Sequence, residues 1–205
     1  MPGALLTNAI IMKKFFVTSI ILATSFMIHA QRTDAYPGIK VGLNVASLNV
    51  ENGVDYNSIV SANAGGLVHI HITPHFAIQP ELFLSGQGGE RGNDKLKLIY
   101  LNFPVLFQYM VGDGFRLHTG PQLGILLSAK DKVDNVEYDI KDVLNTAEFG
   151  WEFGASYQFP GSGLGLDARY TLGLTDITEG PSDIQNRVFS VGLFYQFMSM
   201  TRGRR

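Results

Sequence analysis

Apolar side chains alternate with polar or small ones in eight stretches of roughly ten residues along the chain. The clearest stretch, residues 164–174, reads LGLDARYTLGL, so every second residue is apolar from its first leucine to its last. Because successive side chains of a strand point to opposite faces, this period of two predicts β-strands with one apolar and one polar face.

The connectors between these stretches alternate in length. Short connectors lie at Thr73–His75, Met110–Gly114 and Pro160–Gly163. Longer polar connectors lie near Leu48–Ser61, Gln87–Lys95, Ala129–Glu148 and Asp176–Asn186. Alternation of tight turns with larger loops is typical of outer-membrane barrels. The pattern therefore predicts an all-β fold: an eight-stranded, antiparallel, up-and-down transmembrane β-barrel, preceded by a signal peptide.

The start of the chain has the pattern of an export signal. Lys13 and Lys14 precede an apolar run from Phe15 to Ile28, and small Ala30 ends the segment. This predicts a Sec signal peptide over residues 1–30, cut after Ala30, with Met12 as the expected start codon. We assign residues 31–37 as a lead-in, 38–197 as the barrel and 198–205 as a tail.

Composition narrows the classes of function. The chain has 205 residues with 16 basic and 18 acidic side chains, and removing the two signal lysines leaves 14 against 18. A basic face for nucleic acid is therefore not expected. There is no cysteine, which excludes disulfide bonds and a lipid anchor on cysteine. No later segment approaches 18 consecutive apolar residues, so strands have to carry any membrane span.

The polar faces are predicted to converge inside the barrel. An eight-stranded barrel is just wide enough to be filled by side chains, so we expect a plug and not a pore. Opposite charges in a dry lumen should pair. We predict a lumen ion network with three charges of each sign, formed by Lys40, Glu81, Arg116, Glu152, Asp167 and Arg169.

Three sharper interpretations compete with a structural lumen. His69 and His71 share a strand face, and with Glu81 they are a candidate zinc site, although hydrogen-bonded histidines are the favoured interpretation. Glu152, Asp167 and Arg169 are a candidate enzyme site. The acidic loop 129–148 is a candidate for divalent cations, with a solvated loop as the favoured alternative. Its charged residues are Lys130, Asp131, Lys132, Asp134, Glu137, Asp139, Lys141, Asp142 and Glu148.

Fragments from most strands resemble one known family. They read GIKVGLN, QPELFLSGQGG, YLNFPVLFQY, GPQLGILLSAK, FGWEFGASYQF, LGLDARYTLGLTDI and RVFSVGLFYQF. The chain thus resembles the PorT-like outer-membrane β-barrel family of Bacteroidetes. The resemblance implies an eight-stranded barrel in the outer membrane, and explains Pro80, Pro104 and Pro121 within strands as a habit of the family. It implies no catalytic residues.

The last strand resembles the signal that the barrel-assembly machinery recognises. Ser190, Gly192, Tyr195 and Phe197 give its pattern of a polar residue, a glycine and two aromatics. The chain continues to Arg205, whereas that signal usually ends the protein.

The sequence therefore favours a non-enzymatic protein of the Gram-negative outer membrane, exported by the Sec pathway. We expect a structural, binding or secretion-accessory role, with four loops exposed outside. Expected partners are outer-membrane lipid and, during biogenesis, the barrel-assembly machinery, with no cofactor and no nucleic acid. The alternatives are a soluble lipocalin-like carrier with its apolar faces turned inward and an outer-membrane barrel enzyme.

Overall fold

The computed structural model describes residues 35–50, 56–92, 94–133, 136–178 and 184–197. The predicted signal peptide and the tail 198–205 lie outside these residues. One 3₁₀ turn, Lys141–Val143, and nine strands are present in the described part. The strands are β1 Ala35–Val50, β2 Ile59–His71, β3 Phe76–Arg91, β4 Asp94–Val111, β5 Phe115–Val133, β6 Val136–Asp139, β7 Ala147–Gln158, β8 Leu164–Gly173 and β9 Ile184–Gln196.

The eight long strands form one closed sheet. The neighbours around the ring are β4, β3, β2, β1, β9, β8, β7 and β5, and pairing of β4 with β5 closes it. The first strand pairs with the last, from Gly38 opposite Gln196 to Val50 opposite Ile184. Short β6 pairs with the far end of β5 and adds a hairpin outside the ring. The predicted antiparallel eight-stranded barrel is confirmed.

The apolar faces point outward. On β1, Leu43 is 57% exposed while its neighbour Asn44 is fully buried, and on β7 Phe153 is 49% exposed beside fully buried Glu152. A soluble exterior rarely carries so many large apolar side chains, whereas a lipid-facing surface requires them. The alternative of a lipocalin-like carrier needs the opposite sidedness and is wrong.

The two ends of the barrel differ. The end that we call the turn end carries the short connections 72–75, 112–114 and 159–163. The opposite end, the loop end, carries the connections 51–58, 92–93, 140–146 and 174–183. No helix in the described ranges is long and apolar enough to span a membrane.

The predicted long connectors are shorter than expected at the loop end. β3 runs to Arg91 and β4 starts at Asp94, so most of the predicted loop Gln87–Lys95 is paired strand. Gly92 allows this tight reversal because its φ is +63°, in the left-handed region that glycine favours. The predicted loop Ala129–Glu148 likewise contains the end of β5 and all of β6.

Two other boundaries follow from the register. β1 begins at Ala35, within the segment assigned as a lead-in, although its ladder with β9 starts only at Gly38. β3, β4 and β5 continue through Pro80, Pro104 and Pro121, each of which has a cross-strand neighbour in the sheet. The prolines therefore lie within the barrel wall and do not end the strands.

Candidate functional site in the barrel lumen

Five charged side chains meet in the middle of the lumen. Lys40 Nζ lies 2.8 Å from Glu81 Oε2. Arg169 Nη1 lies 2.9 Å from Glu81 Oε2 and 2.9 Å from Glu152 Oε2, and Arg169 Nε lies 2.7 Å from Asp167 Oδ1. Because β3 and β8 stand on opposite sides of the ring, the pair Glu81–Arg169 ties two opposite walls together. We call these five residues the ion cluster.

Hydrogen bonds from polar neighbours complete the ion cluster. Gln79 Nε2 donates to Glu81 Oε1 at 2.7 Å, and Arg169 Nη2 donates to the same oxygen at 3.2 Å. Glu81 thus accepts four hydrogen bonds in all, three of them from cations. A buried carboxylate retains its charge only when partners replace the lost water in this way.

The lumen is packed at the level of the ion cluster. The cavity beside Lys40, Phe83 and Arg169 measures only about 10 Å³. One water needs roughly 10–15 Å³ on a comparable measure, so this cavity holds about one water and no substrate. The described side chains at this depth form a packed polar core.

Arg116 lies apart from the other five predicted network residues. Its guanidinium donates through Nη2 to Gln158 Oε1, and to Gln196 Oε1 at 3.3 Å, near the turn end. Phe194 lies beside it, with the ring centroid 5.9 Å from Arg116 Cζ. Among the described residues, none of the ion pairs includes Arg116.

The candidate zinc ligands are occupied by other contacts. The rings of His69 and His71 lie edge to face with centroids 4.6 Å apart, and His69 Nδ1 lies 3.2 Å from Gln79 Oε1. Glu81 belongs to the ion cluster, where Lys40 and Arg169 engage its carboxylate. Within the described ranges no three His, Asp or Glu side chains are placed to share a metal ion.

The acidic residues that the structure describes in segment 129–148 do not converge. Glu137 on β6 faces Lys130 at 3.3 Å and Lys97 at 3.6 Å, in exposed ion pairs. Asp139 Oδ1 accepts a hydrogen bond from the Lys141 backbone N–H. Glu148 instead points into the lumen, where Asn186 Nδ2 donates to it at 2.8 Å. Cation binding by this segment stays a prediction without a shared site among the described residues.

A buried apolar cluster, which sequence reasoning did not anticipate, lies at the loop end of the lumen. Its members are Leu48, Leu96, Leu98, Tyr100, Leu126, Ala129, Leu144 and Ile177. Asn145 links the segments that carry Leu144 and Ile177. Its backbone N–H donates to Ile177 O at 2.9 Å, and its Nδ2 donates to Asp176 O at 3.0 Å. We call this cluster the apolar plug. The alternation of β4 continues through Leu98 and Leu96 up to the predicted loop Gln87–Lys95, and the prediction did not use this signal.

The four residues of the predicted assembly signal lie on both faces of β9 and its end. Ser190 Oγ donates to Asn44 Oδ1 at 2.8 Å in the lumen, and Gly192 faces Gly42 across the ladder. Tyr195 and Phe197 point outward with ring centroids 5.4 Å apart. The residues after Phe197 lie outside the described part, and recognition of the signal stays a prediction.

The closed sheet, the outward apolar stripes and the packed polar lumen define an integral outer-membrane β-barrel. The chain belongs to the family described as outer membrane protein beta-barrel domain, whose model matches residues 30–179. The protein is therefore located in the outer membrane.

Two solved barrels have a similar fold. Neisserial surface protein A, from Neisseria, is 13% identical with a TM-score of 0.57, and the match covers 80% of this chain and 99% of that one. Ail, the attachment invasion locus protein of Yersinia pestis, is 12% identical with a TM-score of 0.54 and the same coverage. At this identity the similarity shows the fold alone. No curated protein matches the sequence at a significant level.

Proposed function

We propose that this protein is a non-enzymatic barrel that anchors a partner-binding surface at its loop end. The single observation that carries this proposal is the packed middle of the lumen. The ion cluster occupies that depth and the apolar plug lies toward the loop end, so the barrel serves as a rigid support and does not conduct solutes.

The wall beside β4 extends beyond the membrane. Outward apolar residues on β4 run from Val111 to Ile99, and with a rise of about 3.4 Å per residue and a tilt of about 40° this band is about 31 Å tall. That height is sufficient to span the hydrocarbon core of a bilayer. Lys97 and Lys95 follow on the outer face, so the rest of the strand projects into water.

The projecting part ends in an edge strand. In the described part of the chain, β6 is paired on the β5 side alone. Its Val136 and Tyr138 are 51% and 55% exposed, which leaves apolar surface above the membrane band. An exposed strand edge with apolar side chains is a typical surface for a protein partner. This supports binding at the loop end.

The remaining expectations concern sidedness and biogenesis. By the rule for bacterial barrels, the turn end faces the periplasm and four loops face outside. We infer export by the Sec pathway with cleavage after Ala30, followed by recognition of the last strand by the assembly machinery. The resemblance to the PorT-like family supports a secretion-accessory role for the surface that the barrel anchors.

An enzymatic role has less support. Glu152 and Asp167 are both engaged by Arg169 at hydrogen-bond distance, and the adjoining cavity is about 10 Å³. Carboxylates that act as acid or base need contact with a substrate, which this packing does not provide.

Photo-crosslinking on intact cells tests the proposal. A photoreactive amino acid replaces Tyr138 in one variant and Tyr157, an outward aromatic near the turn end, in the control. We expect a discrete higher-mass product from position 138 and none from position 157. Planar-bilayer recordings of the purified protein should show no channel steps. Stable conductance, or the same product from both positions, contradicts the proposal.

A further inference from the structure

A cavity of about 370 Å³ lies at the turn end of the lumen. Side chains from β1, β2, β5, β7 and β9 line it, including Tyr36, His71, Arg116, Gln158 and Gln196. The volume falls within the range of small-molecule sites. The ion cluster and the loop-end surface use none of these residues, so the cavity requires its own explanation.

Arg116 brings a positive charge to this cavity without a carboxylate partner. It is only 6% exposed, and its Nη2 donates to the side-chain oxygens of Gln158 and Gln196. A neutral amide oxygen orients a guanidinium but does not balance its charge. The described side chains that contact Arg116 therefore do not balance its positive charge.

Gln196 supplies a second, independent observation. The side chain is 2% exposed and uses its Oε1 to accept from Arg116. Its Nε2, however, is buried without a hydrogen-bond partner among the described residues. A buried donor left unpaired is costly, and native proteins usually satisfy it with protein, water or a ligand.

We propose that this cavity is a binding site for a carboxylate group. The planar guanidinium of arginine matches a carboxylate in two-point hydrogen bonding, and the free Nε2 of Gln196 offers a further donor. A single unbalanced positive charge fits a monovalent anion better than a divalent one. The apolar lining from Tyr36 and Met110 leaves room for the carbon atoms attached to that carboxylate.

Two groups of negative charge limit the affinity. Asp113 lies at the exposed rim of the cavity, and the ion cluster deeper in the lumen carries two cations and three carboxylates. Both repel an anion, although Asp113 is screened by solvent and the cluster carboxylates are engaged by Lys40 and Arg169. We therefore expect weak binding, with a Kd on the order of 1 mM, and not a tight site.

The carboxylate could belong to a free small acid or to the C-terminus of a peptide. Under the sidedness proposed above, either would come from the periplasm. The site does not depend on a partner at the loop end, so failure of one proposal leaves the other intact.

The test uses the full-length protein in detergent micelles and three probes: acetate, N-acetyl-alanyl-alanine and the C-terminal amide of that dipeptide. Chemical-shift changes of backbone amides around residues 112–116 report binding. We expect the dipeptide acid to bind at least about tenfold more tightly than its amide. Equal binding of acetate identifies a free small carboxylate as the ligand, whereas binding by the dipeptide acid alone identifies a peptide terminus.

Variants of Arg116 decide the role of the guanidinium. Arg116→Gln should abolish binding of the acid, while Arg187→Gln, a matched change at the loop end, should leave it unchanged. If Arg116→Gln does not fold, Arg116→Lys decides, because it keeps the charge but loses the planar fork and should bind at least about fivefold more weakly. No binding to the unmodified protein, equal binding of acid and amide, or unchanged affinity in these Arg116 variants overturns the proposal.

Discussion

Replacing Glu81 by glutamine should destabilise the barrel strongly although the side chain hardly changes size. Glu81 Oε2 accepts from Lys40 at 2.8 Å and from Arg169 at 2.9 Å, and Oε1 accepts from Gln79 at 2.7 Å and from Arg169 at 3.2 Å. An amide retains one of these two oxygens. In either orientation of the amide, two donors lose their acceptor, and at least one of them is a buried cation.

The magnitude follows from these contacts. A hydrogen bond to a charged group contributes about 1.5–3 kcal/mol, and removing one partner of a buried ion pair costs about 3–5 kcal/mol. We therefore expect Glu81→Gln to lower the free energy of unfolding by about 3–5 kcal/mol. The matched control is Glu137→Gln on β6, where the exposed ion pairs should contribute little to stability.

Denaturant titration of the protein refolded in lipid vesicles measures both variants. The chain has one tryptophan, Trp151, which is adjacent to Glu152 of the ion cluster. Its fluorescence therefore reports the unfolding of the barrel wall. Adding Lys40→Met to Glu81→Gln should recover part of the loss, because the cation that the glutamine leaves unpaired is then gone. A loss for Glu81→Gln within about 1 kcal/mol of the control would refute the assigned role of the ion cluster.

Three further outcomes are expected. Gly154→Ala should lower the free energy of unfolding by about 1–3 kcal/mol, because the added Cβ would overlap the His118 imidazole and lie 2.6 Å from the Ala168 carbonyl oxygen. The control Gly66→Ala, whose Cβ would have its nearest atom at 3.6 Å, should be tolerated. Equal unfolding curves for the two variants would contradict this. The hydrogen bond from Lys130 lowers the pKa of Glu137. This pair therefore stabilises the fold at pH values above the ordinary carboxyl pKa, and its contribution is lost as the pH falls through the lowered pKa. An NMR titration should show a higher pKa of Glu137 in Lys130→Ala, and an unchanged titration would argue against the pair. Brominated lipid should quench Trp151, since its strand face points outward, and fluorescence insensitive to such lipid would reverse the assigned sidedness.

The sequence predicts the wall of this barrel better than its contents. Strict alternation in β7 and β8 specifies which residues face lipid, because a side-chain period of two leaves no other arrangement in a strand. The same alternation places Arg116 and Arg169 on equivalent inner faces. It contains no information on depth, which depends on how far each strand is shifted along its neighbour. Arg169 consequently meets carboxylates, whereas Arg116 meets amides.

The apolar plug was missed for a related reason. Residues 87–95 contain glycines and charges that resemble a loop, yet pairing of Gly89 with Leu96 continues the hairpin above the membrane band. Where a strand projects beyond the membrane, its outer face contacts water and is polar, and its inner face can be apolar. Leu96 and Leu98 are therefore the inner residues of a projecting wall, which only the register reveals.

The interior thus changes in chemistry along its axis, and the order of the layers has a physical consequence. The apolar plug adds apolar material on the loop side of the ion cluster, and ion pairs strengthen as the surrounding dielectric constant falls. At the turn end, the donors of Arg116 and Gln196 border an open cavity, where water or an anion can reach them. A lumen packed at the level of the ion cluster and accessible at the turn end is suited to a support that holds one surface rigidly outside while its inner mouth stays available for a ligand.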